Sequence, residues 1–264
     1  MRLSNRLLVS IAVVVVSAGL LAQSLPPGPI LLPHEPSLNL STLQTRVSDD
    51  QAWITGDQQR LADDQMRVST YAKQMIAYHD CVDSKSCYAT DLDAQSDLAI
   101  AYLEKRVRET KPDEKLAVVL DIDETSLSNW EIELRDNFGY NAKHWLDWYQ
   151  EKKAPAIPGT LRLFKIAQEK KISVFFITGR DDSQTDITAK DLETAGYHDW
   201  RKLYLRGQDT QGKSVAEYKS GDRKDIASMG YTIILNVGDQ MSDLSGKPQA
   251  ELSVKLPNPF YYIP

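Results

Sequence analysis

The stretch KLAVVLDIDETSLSNWE, Lys115–Glu131, joins an apolar run to three acidic residues, and this junction decides the fold class. The run Leu116–Leu120 is partly β-branched, which is typical of a strand buried on both faces of a parallel sheet. Asp121, Asp123 and Glu124 follow it directly. In open α/β sheets, ligands bind at the carboxyl ends of the strands. The stretch therefore predicts a functional site at the end of a core strand.

Asp121 and Asp123 are two positions apart, so their side chains point to the same side of an extended backbone. Two like charges at that spacing repel each other. They need a cation between them, or a proton on one of them, to be stable. The pair therefore indicates metal binding or acid–base chemistry.

After Leu116 the chain alternates between strand-like and helical stretches. The predicted strands are Leu116–Leu120, Ile172–Ile177, Leu203–Leu205, Thr232–Val237 and Leu252–Leu256. Helical stretches such as Gly159–Lys170 and Ser183–Ala195 lie between them. Alternation of this kind predicts an α/β fold built on a doubly wound parallel sheet.

The chain has 264 residues, enough for one sizeable α/β domain with a smaller segment attached. Residues 41–112 have apolar positions at three- and four-residue spacing, which predicts a small helical segment packed on the main domain. We assign the main domain to residues 113–264 and a Pro-rich linker to residues 23–40.

The N-terminus has the form of a secretory signal peptide. Arg2 and Arg6 precede the apolar run Leu7–Ala22, and a Pro-rich stretch follows it. Cleavage after Ala22, which would remove residues 1–22, predicts a periplasmic or secreted protein. The alternative is a retained N-terminal anchor that holds the protein at a membrane, because the run is short for a full span but not too short.

The charge of the chain argues against a nucleic acid polymer as partner. The formal net charge is -6 at pH 7, and residues 1–22 carry two positive charges and no negative ones. Cleavage would therefore make the protein more acidic, which disfavours contact with a phosphate backbone.

Cys81 and Cys87, the two cysteines of the chain, lie close together in sequence. Export to an oxidising compartment favours a small disulfide loop, with a pair of free thiols as the alternative. Two cysteines alone do not make a zinc site.

Three further groups of residues with chemical potential lie at strand ends or helix starts. They are Thr178, Gly179 and Arg180; Lys219 and Arg223; and Asp239 and Asp243. Each group alone has an ordinary structural explanation, such as a turn, a solvated lysine or a loop acid. Together with Asp121 and Asp123 they bring four carboxylates, a hydroxyl and an ammonium group to one edge of the sheet. That combination suits a hard divalent cation and a phosphoryl group.

The order of these residues resembles the four motifs of the haloacid dehalogenase superfamily of phosphohydrolases. The matching residues are Asp121-Ile122-Asp123-Glu124-Thr125, Thr178, Lys219, and Gly238-Asp239 with Asp243. The stretches DIDETSLSN, ITGR, YKSGDR, VGDQMSDL and LPNPFYY are similar to its acid phosphatase branch. This branch includes bacterial exported class B and C type acid phosphatases and plant vegetative storage proteins. The resemblance covers residues 116–262 and implies a Rossmann-like core and phosphatase activity.

The resemblance also implies a mechanism. Asp121 would be the nucleophile that forms an aspartyl-phosphate, and Asp123 would act first as general acid and then as base. A neighbouring carboxylate would raise the pKa of Asp123 and so favour its protonated form. Thr178 and Lys219 would bind the phosphoryl oxygens.

The implied cofactor is Mg²⁺, which would neutralise charge between the nucleophile and the phosphoryl oxygens. Its ligands would be Asp121, the backbone carbonyl of Asp123, Asp239 and Asp243. The substrate site would comprise Thr178, Gly179, Arg180, Lys219 and Arg223, together with two aromatic residues.

Access to the site depends on the segments between the motifs. Thr178 and Lys219 are 41 positions apart, which leaves no room for a large cap domain. Six aromatic residues follow the first motif: Trp130, Phe138, Tyr140, Trp145, Trp148 and Tyr149. Their spacing fits either a core stripe on a helix or a stacking surface for the substrate. Alignment with bacterial relatives implies that Trp148 and Tyr261 sandwich the base of a nucleotide.

The sequence therefore predicts an exported, Mg²⁺-dependent acid phosphatase for small phosphomonoesters, with nucleoside monophosphates among its substrates. The alternative is a catalytically weak storage or binding protein of the same fold, since plant relatives include members that lack the nucleophile. The presence of Asp121 argues against it. A receiver-like phosphorylated switch also uses Asp, Thr and Lys, but the N-terminal signal and the acid at Asp123 argue against that class.

Overall fold

The computed structural model describes residues 40–82, 87–151 and 154–263. The contacts within the chain divide it into two compact units, residues 1–60 and 61–264. The predicted signal peptide and nearly all of the predicted linker lie outside the described residues. None of the helices in the described part combines the length and the apolar character that a membrane span needs.

The described part of the first unit belongs to helix α1 (Leu40–His79), whose sequence continues into the second unit. The second unit contains five strands: β1 (Lys115–Leu120), β2 (Ser173–Asp181), β3 (Lys202–Arg206), β4 (Tyr231–Gly238) and β5 (Leu252–Lys255). Its other α-helices are α2 (Tyr88–Arg108), α3 (Trp130–Arg135), α4 (Ala142–Glu151), α5 (Pro158–Glu169), α6 (Thr185–Thr194), α7 (Val215–Ser228) and α8 (Met241–Leu244). Short 3-10 helices lie at Asp182–Gln184 and Gln208–Thr210.

The five strands form one sheet in the order β3-β2-β1-β4-β5, and all pairings are parallel. The chain builds the sheet outward from β1 to β3 and then returns to add β4 and β5 on the other side. This order defines a doubly wound sheet with its switch point between β1 and β4. The predicted fold class is confirmed.

Strand β1 is central, and five of its six residues are buried because helices cover both faces. Its apolar run is therefore continuous, as a strand covered on both sides requires. Asp121 follows β1 at the carboxyl edge of the sheet, and its backbone N–H donates a hydrogen bond to the carbonyl of Val237 in β4. The switch point thus places the first acidic residue next to the end of β4.

Strand β2 is longer than the sequence predicts. The predicted strand ends at Ile177, whereas the observed strand continues to Asp181 and includes the residues expected to follow it. The pairing with β3 shifts register between Ile177 and Asp181, where Asp181 pairs with Arg206. An irregularity of this kind bends the strand and redirects its side chains.

The predicted helical segment packs on the sheet through α2, because Leu92, Ala99 and Leu103 are buried in the main core. Helices α2 and α5 approach closely where Ser96 meets Gly159. A Cβ atom at Gly159 would lie 2.3 Å from the Ser96 hydroxyl oxygen, so the crossing depends on the absence of a side chain there.

Cys81 and Cys87 form a disulfide in the connection between α1 and α2. This is the first of the two alternatives that the sequence left open. Next to it, the rings of His79 and Trp130 stack with their centroids 3.6 Å apart. Tyr88 at the start of α2 contacts Phe260 edge to face. The disulfide therefore lies beside an aromatic cluster that joins the helical segment to the sheet domain.

Candidate active site

Three buried carboxylates meet at the carboxyl edge of the sheet. Asp121 follows β1, Asp239 follows β4 and Asp243 lies in the short helix α8. One carboxylate oxygen from each lies within 4.8 Å of the others. Burial raises the pKa of Asp121 well above its usual value, and the charges of Asp243 and Asp239 add to this while Lys219 opposes it. The cluster is therefore a site where additional positive charge would be stabilised.

Lys219 provides part of that charge. Its Nζ atom donates one hydrogen bond to Oδ1 of Asp121 and one to Oδ1 of Asp243, both 2.6 Å long. Burial lowers the pKa of Lys219, but the two carboxylates outweigh this effect and hold it well above its usual value. Helix α7 positions the lysine and begins with a capping box formed by Ser214 and Glu217.

Asp239 is held by three side chains. The hydroxyl of Thr125 donates a hydrogen bond to Oδ1 at 3.1 Å. The amides of Gln240 and Asn258 donate to Oδ2 at 2.6 and 2.7 Å. Asn258 comes from the segment after β5 and was not among the predicted site residues. These contacts fix the orientation of the Asp239 carboxylate.

Asp123 is paired with Arg180. The guanidinium group donates to the carboxylate through Nε at 3.0 and 3.1 Å and through Nη2 at 2.6 Å, and the Asn129 amide donates at 2.9 Å. Burial raises the pKa of Asp123, but Arg180 and Asn129 outweigh it and the net shift is downward. The sequence predicted a pKa raised by a neighbouring carboxylate. This expectation is wrong, because Arg180 and Asn129 together lower the pKa of Asp123 by more than burial raises it.

Arg180 itself is almost completely buried and donates hydrogen bonds to two carboxylates. Its Nη1 atom donates to Asp191 at 3.0 Å, and its guanidinium lies 4.0 Å from the ring centroid of Tyr149. All the hydrogen bonds that the structure gives this guanidinium go to Asp123 and Asp191. Arg180 borders the cavity, and its hydrogen bonds to Asp123 position that carboxylate.

Arg223 does not reach the cavity, contrary to its predicted substrate-binding role. It is fully buried and donates hydrogen bonds to backbone carbonyls of Asp243, Ser245, Gly246 and Pro248. A guanidinium group has five N–H donors, which suits it to binding several carbonyls of one loop. Arg223 therefore fixes the loop that carries Asp243.

Asn129 makes four hydrogen bonds to three residues of the site. Its side-chain amide donates to Asp123 and Glu124, its backbone N–H donates to Glu124, and its Oδ1 accepts from Nε1 of Trp148 at 2.8 Å. Glu124 has a positive φ of 56°, which turns the loop after β1 sharply. Burial and the charge of Asp123 raise the pKa of Glu124, while the hydrogen bonds from Asn129 oppose this. Asn129 was not among the predicted site residues, although it lies within the stretch Lys115–Glu131.

Trp148 belongs to the core and does not border the cavity, contrary to its predicted stacking role. Only 3% of its surface is exposed, and its indole N–H is committed to Asn129. The core-stripe alternative therefore holds for this residue. Tyr261 does border the cavity, and its hydroxyl donates to Glu124 at 3.0 Å.

The cavity above the carboxylates has a volume of about 570 Å³. Of the predicted site residues, it is bordered by Asp121, Asp123, Gly179, Arg180, Lys219, Asp239, Asp243 and Tyr261. Thr178 lies just behind this surface, where its buried hydroxyl accepts a hydrogen bond from the backbone N–H of Arg180 at 3.2 Å. The cavity is also bordered by apolar and aromatic residues, among them Phe138, Tyr140, Trp145, Leu146 and Tyr149.

The doubly wound sheet and the acidic edge with its lysine define a phosphohydrolase fold of the haloacid dehalogenase type. Residues 42–264 match the family described as HAD superfamily, subfamily IIIB (Acid phosphatase). The chain belongs to this family, which confirms the predicted superfamily and branch.

Known relatives agree with this assignment. "Acid phosphatase 1" of Solanum lycopersicum is 38% identical over 148 residues, which are 55% of this chain and 58% of that protein. "Stem 28 kDa glycoprotein" of Glycine max is 33% identical over 70% of this chain and 75% of its own length. Vegetative storage proteins of Arabidopsis thaliana also match. The crystal structure of class C acid phosphatase from Bacillus anthracis with tungstate bound is 25% identical, with a TM-score of 0.53 over 65% of this chain and 79% of that one.

Proposed function

We propose that this protein is an acid phosphatase that hydrolyses small phosphomonoesters through an aspartyl-phosphate on Asp121. The observation that carries the proposal is the buried cluster of Asp121, Asp239 and Asp243 bridged by Lys219 at the switch point of the sheet. Family membership supports the reaction class. The tungstate named for the Bacillus anthracis enzyme is an oxyanion, and its binding to a similar protein supports an oxyanion ligand for this one.

The three carboxylates also fit a divalent cation, and we propose Mg²⁺. Each offers one oxygen at a common point, and hard oxygen donors are the ligands that Mg²⁺ prefers. Asp121, Asp239 and Asp243 would hold the ion. When bound, Mg²⁺ would supply positive charge beside the phosphoryl oxygens.

In the first step, a carboxylate oxygen of Asp121 attacks phosphorus and the ester P–O bond breaks. The departing oxygen takes a proton from Asp123, which has to take up this proton before the step. Because Arg180 and Asn129 lower the pKa of Asp123, this requirement favours turnover in acid solution. In the second step, Asp123 accepts a proton from water, the water oxygen bonds to phosphorus, and the bond to Asp121 breaks to release phosphate. Arg180 and Asn129 hold the Asp123 carboxylate in place for both proton transfers. Lys219 stabilises negative charge on the phosphoryl oxygens.

The aromatic wall supports a planar leaving group, and we extend the proposal to nucleoside monophosphates. Tyr149, Tyr140 and Tyr261 border the cavity, whereas Trp148 does not. Aromatic side chains stack on the faces of bases regardless of sequence. The rings on the cavity wall therefore replace Trp148 in the stacking role that the sequence suggested.

The proposal includes export. It rests on the signal-like residues 1–22, and the disulfide between Cys81 and Cys87 is consistent with an oxidising compartment. Retention of residues 1–22 would instead leave the protein attached to a membrane. Mass determination of the N-terminus of the protein recovered from cells distinguishes the two outcomes.

A substrate screen tests the activity. The purified protein is assayed with p-nitrophenyl phosphate, glycerol phosphate and a nucleoside monophosphate, after metal removal and after addition of Mg²⁺. We expect phosphate release from all three substrates. The release should stop after metal removal and return when Mg²⁺ is added. If the protein shows a native unfolding transition but releases phosphate from none of the substrates, the storage or binding alternative is favoured.

A further inference from the structure

Helix α1 contains a seven-residue sequence repeat. The segments SDDQAWI, TGDQQRL and ADDQMRV occupy residues 48–54, 55–61 and 62–68 in direct succession. Each has Asp and Gln at its third and fourth positions and an aliphatic residue at its seventh. The preceding segment, residues 41–47, shares the Gln and the aliphatic residue. A seven-residue period is the period of helices that supercoil around one another, and here one of its two seam positions is apolar in all four segments.

The aliphatic residues of the repeat form an exposed stripe on one side of α1. The stripe consists of Val47, Ile54, Leu61 and Val68, with exposed fractions between 37% and 60%. The Gln side chains at positions 44, 51, 58 and 65 precede each of them by three residues and are also exposed. In heptad terms the Gln residues occupy position a and the aliphatic residues position d, the two positions of a coiled-coil seam. No residue in the described ranges covers this stripe.

A helix this exposed gains little stability from burial. Isolated helices are marginal in water, and most helical stability in proteins comes from packing of one face. The repeat offers such a face, but none of the described residues packs against it. A partner helix with the same period would bury the stripe along its length.

We propose that this stripe pairs with the same stripe of a second copy of the chain, the two helices running parallel. The charge pattern selects that orientation. Asp50, Asp57 and Asp64 occupy position g beside the stripe, and small residues such as Ser48 and Thr55 occupy position e. In a parallel pair position g faces position e of the partner, so each Asp meets a small residue. In an antiparallel pair position g faces position g, and the Asp residues would repel one another.

The pairing is tested by the mass of the protein in solution. We expect the wild-type chain, expressed from Met1, to show twice the mass of its monomer. Leu61→Asp places a charge in the seam and should raise the dissociation constant about a hundredfold or more. The matched control is Met66→Asp, because Met66 is also an exposed apolar residue of α1 but lies off the stripe. It should leave the mass unchanged.

A monomeric wild-type protein at high concentration would overturn the proposal, as would equal effects of Leu61→Asp and Met66→Asp. Both variants lie away from the active-site residues, so unchanged phosphatase activity or an unchanged unfolding transition shows that the fold is intact. Binding of a monomeric protein to lipid vesicles that Leu61→Asp abolishes would also overturn it, since the stripe would then face a membrane.

The orientation has its own test. In a parallel pair Leu61 lies opposite Leu61 of the partner, so Leu61→Cys should form an interchain disulfide under mild oxidation. Met66→Cys should not, because position b points away from the seam. Cross-linking of Met66→Cys to the same extent, or none at Leu61→Cys, would contradict the parallel arrangement.

Discussion

The carboxylates of the active site are hydrogen-bonded to positively charged or amide side chains. Lys219 binds Asp121, Arg180 binds Asp123, and Asn258 binds Asp239. Removal of one partner from such a buried pair leaves the other without compensation, which costs more than the pair contributes when intact. Single substitutions should therefore have large effects whose kind depends on the carboxylate involved.

Asp121→Asn should abolish turnover while the fold remains, because an amide oxygen cannot form the phospho-enzyme. We expect a loss of kcat of about 10⁴-fold or more. The measurement is phosphate release, with circular dichroism and the melting temperature as checks on folding. Asp147→Asn, which removes an exposed carboxylate from α4, is the control. Activity of Asp121→Asn within tenfold of wild type would contradict the assignment of the nucleophile.

Asn129→Ala should impair the proton transfers of Asp123. It removes an amide that donates to both Asp123 and Glu124, and kcat/KM should fall about 10- to 100-fold. The loss should be larger for glycerol phosphate than for p-nitrophenyl phosphate, whose leaving group needs little protonation. Trp148→Phe keeps an aromatic ring but removes the five-membered ring of the indole, and with it the donor to Asn129. It leaves the Asn129 amide that binds Asp123 in place, so its effect on kcat/KM should be smaller. Equal losses on both substrates would show that Asn129 acts only on the fold.

Glu133 gives the protein a dependence of stability on pH. Burial, followed by the charges of Asp136 and Asp123, raises the pKa of Glu133 to about 7 from its usual 4.5. The folded state therefore binds this proton more tightly than the unfolded state. The resulting stabilisation is complete below pH 4.5 and is lost as the pH rises through 7.

Glu133→Gln should remove the part of the stability loss at high pH that Glu133 causes. Relative to wild type, the free energy of unfolding of the variant should rise by about 1–3 kcal/mol between pH 4 and pH 8, allowing for screening by solvent in the cavity. Urea unfolding at both pH values measures it. Glu131→Gln, on the same helix and exposed, corrects for the change in net charge. If the difference in free energy of unfolding between Glu133→Gln and wild type does not vary with pH, Glu133 does not cause the pH dependence.

Among the elements, the crossing of α2 and α5 is the tightest contact that can be tested. Gly159→Ala should destabilise the protein by about 1–3 kcal/mol, although Ala favours helix formation, because its Cβ would overlap Ser96. Gly221→Ala is the matched control: a Cβ atom at Gly221 in α7 meets nothing within 4 Å, so about 0.5–1 kcal/mol of stabilisation is expected. Urea unfolding measures both.

The double substitution Ser96→Gly with Gly159→Ala should recover most of the stability lost by Gly159→Ala alone. Recovery would show that the overlap with Ser96 is the cause. If the double variant is less stable than either single one, another neighbour of Gly159 resists the added methyl group.

The existence and order of the elements could be predicted because buried parallel strands appear as continuous apolar runs. Their ends could not. The end of β2 depends on a register shift against β3, which arises from pairing between distant segments. Helix α8 has only four residues, and the predicted loop acid Asp243 lies within it. No periodic pattern can form over so short a length.

Across the whole molecule, the segment after β5 returns to the active site. Asn258 donates to Asp239, and Tyr261 donates to Glu124, 137 positions earlier in the chain. Groups that hold metal ligands in place commonly affect metal affinity 10- to 100-fold. Asn258→Ala should therefore raise the Mg²⁺ concentration needed for half-maximal activity by about that factor. Tyr262→Ala, with an exposed side chain in the same segment, is the control, and equal shifts for both would contradict a specific role of Asn258.

The four motif positions could be predicted because each lies directly at a strand end or a helix start. The partners of those residues could not, since a contact such as Tyr261 with Glu124 joins segments far apart in sequence. Alignment with bacterial relatives places Trp148 in the substrate site, and a position near a helix start places Arg223 there. The direction of each side chain depends on what packs around it, and both point into the interior.

The return of the segment after β5 to Asp239 has a consequence for protein synthesis. A nascent chain that has left the ribosome as far as Lys219 already carries Asp121 and the lysine that binds it, but it lacks Asp239 and Asp243. Once β5 has emerged, every strand of the sheet is present, yet Asn258 has still to arrive and hold Asp239 in position. We therefore expect the proposed metal site to be completed only late in synthesis, and a message cut short between Lys255 and Asn258 to yield a nearly complete fold in which Asp239 is held less firmly.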